Sequence, residues 1–118
     1  PALIEELKLA AATGTLKKAY KDYTKVNLLI LDDWMLVKLT QEESRYVYEL
    51  VHRRHKTAST IFCSQFSPAG WHQRIAEDTL ADAILDRIVY DSYIIEIKSQ
   101  EDMPSMREKY GLQIKTKN

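Results

Sequence analysis

The chain has 118 residues, enough for one domain of ordinary size, and 45% of them are hydrophobic, as in globular proteins. Because 17 lysines and arginines balance 17 aspartates and glutamates, the composition excludes a protein-wide charge field that would attract DNA or an anionic membrane. The single cysteine, Cys63, excludes an internal disulfide and fits a cytoplasmic location, and no apolar stretch approaches the roughly 20 residues of a membrane span.

The first residues predict two helices. Leu3, Leu7 and Ala10 recur at helical spacing, and the helix that they form is expected to end near Gly14. A second, short amphipathic helix is predicted over residues 16–23. Its apolar residues lie on one side, so this helix would pack against the rest of the domain.

A strand and a third helix are predicted next. The apolar run at residues 26–31 is typical of a strand that is buried on both faces, as in a parallel sheet. Thr40 and Glu43 then have the spacing of a capping box, in which each side chain bonds the backbone N–H of the other residue. They predict the start of a helix that ends around His55.

The second half of the chain is predicted to continue this alternation. Its elements are a strand at residues 59–64, a loop at 67–70, a helix capped by Asp78, a strand at 93–97 and a helix at 105–110. The apolar stripe of the middle helix consists of Leu80, Ile84, Leu85 and Ile88. Helices that alternate with strands predict an α/β domain with a parallel sheet, in which ligands bind beyond the carboxyl ends of the strands.

Two acids, Asp32 and Asp33, follow the first strand directly, and Ser64 and Gln65 lie at the end of the second. Successive strand residues point to opposite faces, so the two carboxylates are not expected to have the same role. Mg²⁺ takes one or two carboxylates and completes its shell with water and phosphates, so one acid could hold the metal and the other could polarise an attacking water. The alternative is that both acids simply begin a solvated loop.

Five stretches carry a resemblance to a known family: LLILDDW, ELVHRRH, STIFCSQFSPAGWH, ADAILDRIVYDSYIIEI and SMREKYG. In this order, along nearly the whole chain, they resemble the C-terminal half of the AAA+ ATPase domain of the IstB-like family. Those proteins are transposition helper ATPases of bacterial insertion sequences, similar to helicase loaders of the DnaC type. The resemblance implies a three-layer parallel sheet of the P-loop NTPase type, with residues 1–118 running from Walker B to the sensor 2 region.

By this resemblance, Asp32 matches the Walker B acid that supports Mg²⁺, and Asp33 matches the second acid, which orients the hydrolytic water. Ser64 and Gln65 match the sensor 1 position beside the γ-phosphate of ATP. The family usually has Ser-Asn there, and Gln65 keeps the amide while lengthening the arm by one carbon.

Two arginines also take their predicted roles from the resemblance. Arg87 matches the arginine finger that reaches the nucleotide of the neighbouring subunit, and its alternative is an ion pair with Asp86 or Asp91. Arg107 matches the sensor 2 arginine, and its alternative is a solvated arginine in a polar helix.

A phosphate-binding loop of the form G-x-x-x-x-G-K-[ST] is absent from the sequence. The three glycines, Gly14, Gly70 and Gly111, lie in other contexts. In the family, that loop precedes the point where this chain starts, and the chain begins with Pro1 instead of methionine. We therefore expect a fragment that lacks the P-loop strand, and the alternative is a natural remnant that does not bind ATP normally.

A cluster of basic residues, His52-Arg53-Arg54-His55-Lys56, lies at the end of the third predicted helix. It could contact DNA phosphates, or it could complement the negative end of the helix dipole. Two histidines without a third ligand make a metal site the weakest of the three interpretations.

The predicted function is that of an ATP-dependent helper of DNA transposition. Such a protein would be a homo-oligomer with ATP and Mg²⁺ between its subunits, and its partners would be DNA and a transposase. One alternative is a DnaC-type loader, whose partner is a replicative helicase. The other is an interaction module without catalysis, which the altered sensor 1 residue and the absent P-loop would fit.

Overall fold

Five helices and two strands lie within residues 2–90, which together with residues 92–97 are described by this computed structural model. The helices are α1 (Ala2–Thr13), α2 (Leu16–Lys25), α3 (Gln41–Arg54), α4 (Pro68–His72) and α5 (Asp78–Val89). The strands are β1 (Leu28–Leu31) and β2 (Ser59–Phe62). The predicted α/β class is confirmed. No helix in the described part of the chain is long and apolar enough to cross a membrane.

The turn between α1 and α2 lies at Gly14, as predicted. Its φ of +78° is a left-handed conformation that glycine adopts without steric cost. Thr15 N–H donates to the carbonyl oxygen of Ala10 at 2.8 Å and so pairs one of the last carbonyls of α1. The buried residues of α1 are Leu3, Ile4, Leu7 and Ala10. Residues of α1, α3, α5 and β1 belong to one continuous core.

The two strands pair in parallel, with Leu28 opposite Ser59 and Leu31 opposite Phe62, which confirms the predicted orientation. The prediction that the first strand is buried on both faces is wrong. Leu28 and Ile30 are 50% and 58% exposed, whereas Leu31 is 4% exposed. Alternate side chains of a strand point to opposite faces, so only one face of β1 is covered by the residues that the structure describes.

The start of α3 is fixed by the predicted capping box. Glu43 N–H donates to Thr40 Oγ1 at 3.1 Å, and Thr40 N–H donates to Glu43 Oε1 at 2.9 Å. These bonds pair two N–H groups that would otherwise lack partners, which stabilises a helix by about 1 kcal/mol. The helix ends at Arg54, next to the predicted His55, and its buried apolar residues are Val47, Leu50 and Val51.

Arg54 organises the edge of the sheet where β1 and β2 begin, which we call the amino edge. Its Nη1 donates to the carbonyl oxygens of Tyr23 at 2.7 Å and Val26 at 2.8 Å. Its Nη2 donates to the carbonyl oxygen of Ser59 at 2.6 Å, and its Nε donates to Thr60 Oγ1 at 2.9 Å. One guanidinium thus joins α2, the approach to β1 and the start of β2. Burial lowers the pKa of this guanidinium below its ordinary value.

Helices α3 and α5 lie side by side and run in the same direction. Near their starts, Gln41 Nε2 donates to Glu77 Oε2 at 3.1 Å, and near their ends Arg87 Nε donates to His52 Nδ1 at 3.2 Å. The predicted stripe of α5 faces the core, with Ile84 and Ile88 buried and Leu80 and Leu85 partly buried.

Two local predictions about helix starts are wrong. Glu77, and not Asp78, is the N-cap of α5, and it makes no side-chain capping bond. Asp78 is instead the first helical residue, where its charge complements the helix dipole. Residues 67–70, predicted as a loop, contain the start of α4, because Pro68 at the first position already has a φ suited to a helix.

The predicted strand at residues 93–97 is also wrong. These residues have no regular secondary structure, and Ile95 is 85% exposed. An apolar sequence forms a strand only where another strand accepts its hydrogen bonds, and within the described residues only β1 and β2 pair. The predicted helix at residues 105–110 lies outside the described residues.

Candidate functional site

The carboxyl edge of the sheet, where β1 and β2 end, carries the predicted acid pair. Asp32 and Asp33 follow Leu31 and are both exposed, and Asp33 N–H donates to Asp32 Oδ1 at 3.1 Å. Asp33 has a φ of +52°, a left-handed conformation that aspartate tolerates better than most residues. This turn lets the chain bury Trp34 and Met35, each 2% exposed, while both carboxylates stay in solvent.

Backbone hydrogen bonds continue the pairing of the two strands beyond their last residues. Cys63 N–H donates to the carbonyl oxygen of Leu31 at 2.9 Å, and Trp34 N–H donates to the carbonyl oxygen of Cys63 at 2.8 Å. The acid pair is therefore held beside the loop that follows β2. Partial burial and the nearby Asp32 carboxylate together raise the pKa of the Cys63 thiol.

The hydroxyl of Ser64 joins the two loops of the carboxyl edge. Its Oγ donates to the carbonyl oxygen of Trp34 at 2.7 Å, and it accepts from Phe66 N–H at 3.1 Å and from Trp71 Nε1–H at 3.0 Å. A serine hydroxyl has one donor and two acceptor lone pairs, so these three bonds use its whole capacity. In this conformation the Ser64 side chain supports the loop and has no hydrogen bond left for a ligand.

Gln65 is the polar side chain that this loop presents to solvent. It is exposed, and its amide makes no hydrogen bond within the described part of the chain. An amide can both donate and accept, so it suits either a phosphate oxygen or a water molecule. Of the two residues predicted at the sensor 1 position, Gln65 is therefore the one whose side chain can meet a ligand.

Trp71 and Arg74 hold the same loop from the side of α4. Trp71 is 8% exposed and belongs to the hydrophobic core, and its Nε1–H also donates to the carbonyl oxygen of Phe66 at 2.7 Å. The Arg74 guanidinium carbon lies 3.8 Å from the centroid of the Phe66 ring, and Nη1 donates to the carbonyl oxygen of Leu36 at 3.1 Å. The sequence carried no signal for these polar contacts beyond the residue types.

The donors at the carboxyl edge suit a metal that arrives with ligands of its own. In the described part of the chain, no group of three or more histidine, cysteine, aspartate or glutamate side chains could hold a metal ion. Asp32 and Asp33 offer two exposed carboxylates, the number that Mg²⁺ takes from a protein when water and substrate phosphates complete its shell. The edge therefore fits Mg²⁺ bound to a nucleotide better than a metal held by the protein alone.

Arg87 lies away from the acid pair, toward the other end of α3. Its partner His52 is two residues from Arg54, which belongs to the amino edge. Within the described residues Arg87 makes no ion pair with Asp86, and both Asp91 and Arg107 lie outside them. The predicted site residues that the structure brings together are Asp32, Asp33, Ser64 and Gln65.

The basic cluster at the end of α3 does not form one uniform patch. Arg54 is 3% exposed and bound to backbone, and Arg53 pairs with Glu49 at 2.6 Å and lies 4.9 Å from the Tyr20 ring centroid. His52 accepts from Arg87, so His55 and Lys56 alone remain without such partners among the described residues of the cluster. The buried role of Arg54 was missed, although its spacing from the apolar residues of α3 signalled it.

Comparison with known proteins shows which sequences this chain resembles. The model of the IstB-like ATP-binding protein family matches residues 1–113. The protein named insertion sequence ATP-binding protein y4uH, from Sinorhizobium fredii, is 38% identical over 113 residues, which are 96% of this chain and 45% of that protein. The insertion sequence IS21 ATP-binding protein of Pseudomonas aeruginosa is 30% identical over 116 residues, 98% of this chain and 43% of that protein.

A third similar insertion sequence ATP-binding protein comes from another genus. The insertion sequence IS5376 ATP-binding protein of Geobacillus stearothermophilus is 30% identical over 98 residues, 83% of this chain and 39% of that protein. The chain thus spans less than half the length of these relatives. The match over residues 1–113 shows that the chain belongs to the family of IstB-like ATP-binding proteins.

Proposed function

We propose that this chain is the later part of an AAA+ ATPase domain, from Walker B to sensor 2, in an ATP-dependent helper of DNA transposition. The observation that carries the proposal is the carboxyl edge, where two exposed carboxylates lie beside the loop that bears an exposed amide. Membership of an ATP-binding family supports the nucleotide, and relatives named for insertion sequences support the link to transposition.

In this proposal the acid pair divides its work. Asp32 holds Mg²⁺, which supplies charge neutralisation at the phosphates when it is bound. Asp33 accepts a hydrogen bond from the attacking water and so orients it toward the γ-phosphate. The exposed amide of Gln65 contacts the same water or a γ-phosphate oxygen. Ser64 does not contact the nucleotide in this proposal. It positions Gln65, because its hydroxyl holds the loop that carries Gln65.

The two arginines complete the proposed site. Arg87 acts on the nucleotide of a neighbouring subunit, which agrees with its distance from the acid pair of its own chain, and makes the protein a homo-oligomer. Arg107 is proposed as the sensor 2 arginine on the strength of the resemblance alone. The guanidinium of an arginine finger stabilises charge that develops on the phosphates in the transition state.

We further propose what surrounds this part of the domain, which partners it has and where in the cell it acts. The exposed face of β1, with Leu28 and Ile30, would be covered by another layer, and the P-loop strand would lie outside this chain. DNA and a transposase are the proposed partners, and the cytoplasm is the proposed location. The single half-buried cysteine agrees with a reducing compartment.

The first test is to find the coding sequence upstream of Pro1. A G-x-x-x-x-G-K-[ST] motif that follows a predicted strand is expected there. A start codon directly before Pro1, without such a loop, would favour an interaction module that does not hydrolyse ATP.

The second test is Asp33→Asn in the whole protein, with Mg²⁺ and ATP. ATP hydrolysis is expected to fall by a factor of about 100 or more, because the water loses its orienting acid, while ATP binding persists. Glu6→Gln, at an exposed position on α1, is the matched control and should leave hydrolysis unchanged. Unchanged hydrolysis in Asp33→Asn would contradict the proposal.

The third test separates a transposition helper from a helicase loader. The whole protein with ATP is mixed with the transposase of the same insertion sequence or with the replicative helicase of the host. Capture of the transposase is expected. Capture of the helicase alone would make the loader the better assignment.

A further inference from the structure

The Arg87 side chain lies against its own subunit in a defined orientation. It is half-buried, and its Nη1 donates to the carbonyl oxygen of Ala83, one turn earlier on α5, at 3.1 Å. Its Nε donates across the helix pair to His52 Nδ1 at 3.2 Å. The guanidinium carbon lies 5.2 Å from the centroid of the Tyr48 ring, within the range of a cation–π contact.

His52 is itself held in place by Tyr48. The two residues are one turn apart on α3, and their rings are stacked with centroids 5.6 Å apart and planes 10° apart. The Nε of an arginine always carries a proton, so His52 Nδ1 must act as the acceptor and carry none. Stacking and hydrogen bond together therefore fix both the histidine ring and the guanidinium.

We propose that His52 is a positioning residue for Arg87. This inference rests on the proposed function, in which Arg87 reaches the nucleotide of a neighbouring subunit. A guanidinium has five N–H donors, and the contacts within the described residues use two of them. Three donors remain, which is enough for a bidentate contact with a phosphate while Arg87 Nε keeps its hydrogen bond to His52.

The physical benefit is preorganisation. A solvated arginine side chain loses rotamer freedom when it contacts a phosphate, and a chain that is already ordered loses less. His52 and Tyr48 order the side chain before the subunits meet. The expected contribution to the rate of hydrolysis is roughly threefold to tenfold, from the usual cost of ordering one long side chain.

The structure also supplies matched substitutions. His52→Phe keeps a ring to stack on Tyr48 and loses the acceptor, whereas His52→Asn keeps an acceptor on a short arm and loses the ring. His52 is exposed, so neither change should prevent folding, which far-ultraviolet circular dichroism verifies. His55→Phe changes a second histidine of the same cluster, which makes no bond to Arg87, and serves as the control.

The first measurement is the ¹⁵N relaxation of the Arg87 Nε–H group in this chain. An order parameter of about 0.8 is expected for the wild type, for His52→Asn and for His55→Phe, and a value below about 0.6 for His52→Phe. A mobile Arg87 in the wild type, or an ordered one in His52→Phe, would overturn the proposal. Neither result depends on ATP hydrolysis.

The second measurement is ATP hydrolysis by the whole protein. His52→Phe is expected to lower kcat roughly threefold to tenfold with an unchanged KM for ATP, and His52→Asn is expected to restore it. An unchanged kcat in His52→Phe, with Arg87→Met strongly impaired, would overturn the positioning role. If Arg87→Met hydrolyses ATP normally, the finger assignment fails instead, and the relaxation result still decides whether His52 orders Arg87.

Discussion

The two edges of the sheet use polar side chains in opposite ways. At the amino edge, the guanidinium of Arg54 is 3% exposed and is consumed by bonds to three strand and helix segments. At the carboxyl edge, the hydroxyl of half-buried Ser64 links the two loops, and the carboxylates of Asp32 and Asp33 remain in solvent. Ser64 thus uses its whole hydrogen-bonding capacity at the carboxyl edge, and Arg54 uses four of its five N–H donors at the amino edge. At the carboxyl edge, two exposed acids directly follow the strand.

The amino edge therefore contributes mainly to the stability of the fold, and the carboxyl edge also offers side chains that can bind a ligand. Removing the partner of a buried or half-buried polar group costs free energy, so the hydrogen bonds of Arg54 and Ser64 commit these side chains to holding the chain together. An exposed carboxylate is solvated by water and needs no hydrogen bond from the protein, so it can bind a cation or a water molecule. Changes at the two edges should therefore damage different properties of the protein.

The largest effect is expected at the amino edge. Arg54→Met should lower the free energy of unfolding by about 3–5 kcal/mol, because it leaves the carbonyls of Tyr23, Val26 and Ser59 without their donor. Urea unfolding followed by circular dichroism measures it. Arg53→Met, at the exposed neighbour, is the control and should cost less than about 1 kcal/mol. Equal losses in the two variants would remove the special role of the amino edge.

The next largest effect tests the saturated hydroxyl of the carboxyl edge. Ser64→Ala should cost about 1–2 kcal/mol, since Phe66 N–H and the carbonyl of Trp34 lose their partner. Ser67→Ala is the control, because Ser67 makes no side-chain capping bond and is exposed. It should change the free energy of unfolding by less than about 0.5 kcal/mol. A loss in Ser64→Ala as small as the control's would show that the hydroxyl does not join the loops.

A smaller, pH-dependent effect is expected at the start of α3, which follows the carboxyl edge. The hydrogen bond from Thr40 N–H, helped by Lys8, holds the pKa of Glu43 below its ordinary value of 4.5. A lowered folded-state pKa means that the stabilisation is present above pH 4.5 and is lost as the pH falls through the folded-state value.

Glu43→Gln keeps an acceptor for Thr40 N–H and removes the charge, together with the ion pair to Lys8 at 3.2 Å. It should cost about 0.5–1 kcal/mol at pH 7, and the difference from the wild type should shrink steadily below pH 4.5. Urea unfolding at pH 7 and pH 3 measures both values. A difference that is the same at the two pH values would mean that the charge contributes nothing.

The smallest effect on stability is expected at the acid pair. Asp33→Asn should change the free energy of unfolding by less than about 0.5 kcal/mol, since Asn also tolerates a left-handed backbone and the side chain is exposed. The same change is expected to lower ATP hydrolysis by the whole protein by a factor of about 100 or more. A loss of stability comparable to that of Ser64→Ala would show that the two edges do not differ in the way described.

Much of the fold was predictable from periodicity and caps. The capping box of Thr40 and Glu43 and the turn at Gly14 depend on local sequence, and both are confirmed. The parallel pairing of the two strands follows from the alternation of helices and strands along the chain, and it is confirmed too. The strand at residues 93–97 was not predictable, because pairing depends on which other strand lies beside it. The exposure of Ile30 was not predictable for a similar reason, because the sequence of a strand does not reveal which of its faces another element covers.

The sequence was enough to predict which residues lie at the site, but not which of them hold the loops and which are exposed. The acid pair and the residues after β2 do lie at one edge, as the order of strands and helices implied. That Ser64 is saturated while Gln65 is exposed follows from the positions of Trp34 and Trp71, which only the packed structure brings together. The contact between Arg87 and His52 depends on the register of two helices that are distant in sequence.

The tryptophans of the carboxyl edge make it observable in spectroscopy. The chain has two, Trp34 and Trp71, and both flank Ser64, with ring centroids 6.1 Å apart and planes 82° apart. Every photon that the indoles emit therefore originates beside the acid pair, and their closeness should give an exciton couplet in the far-ultraviolet. Titration with nucleotide or Mg²⁺ could then be followed by intrinsic fluorescence, without a label.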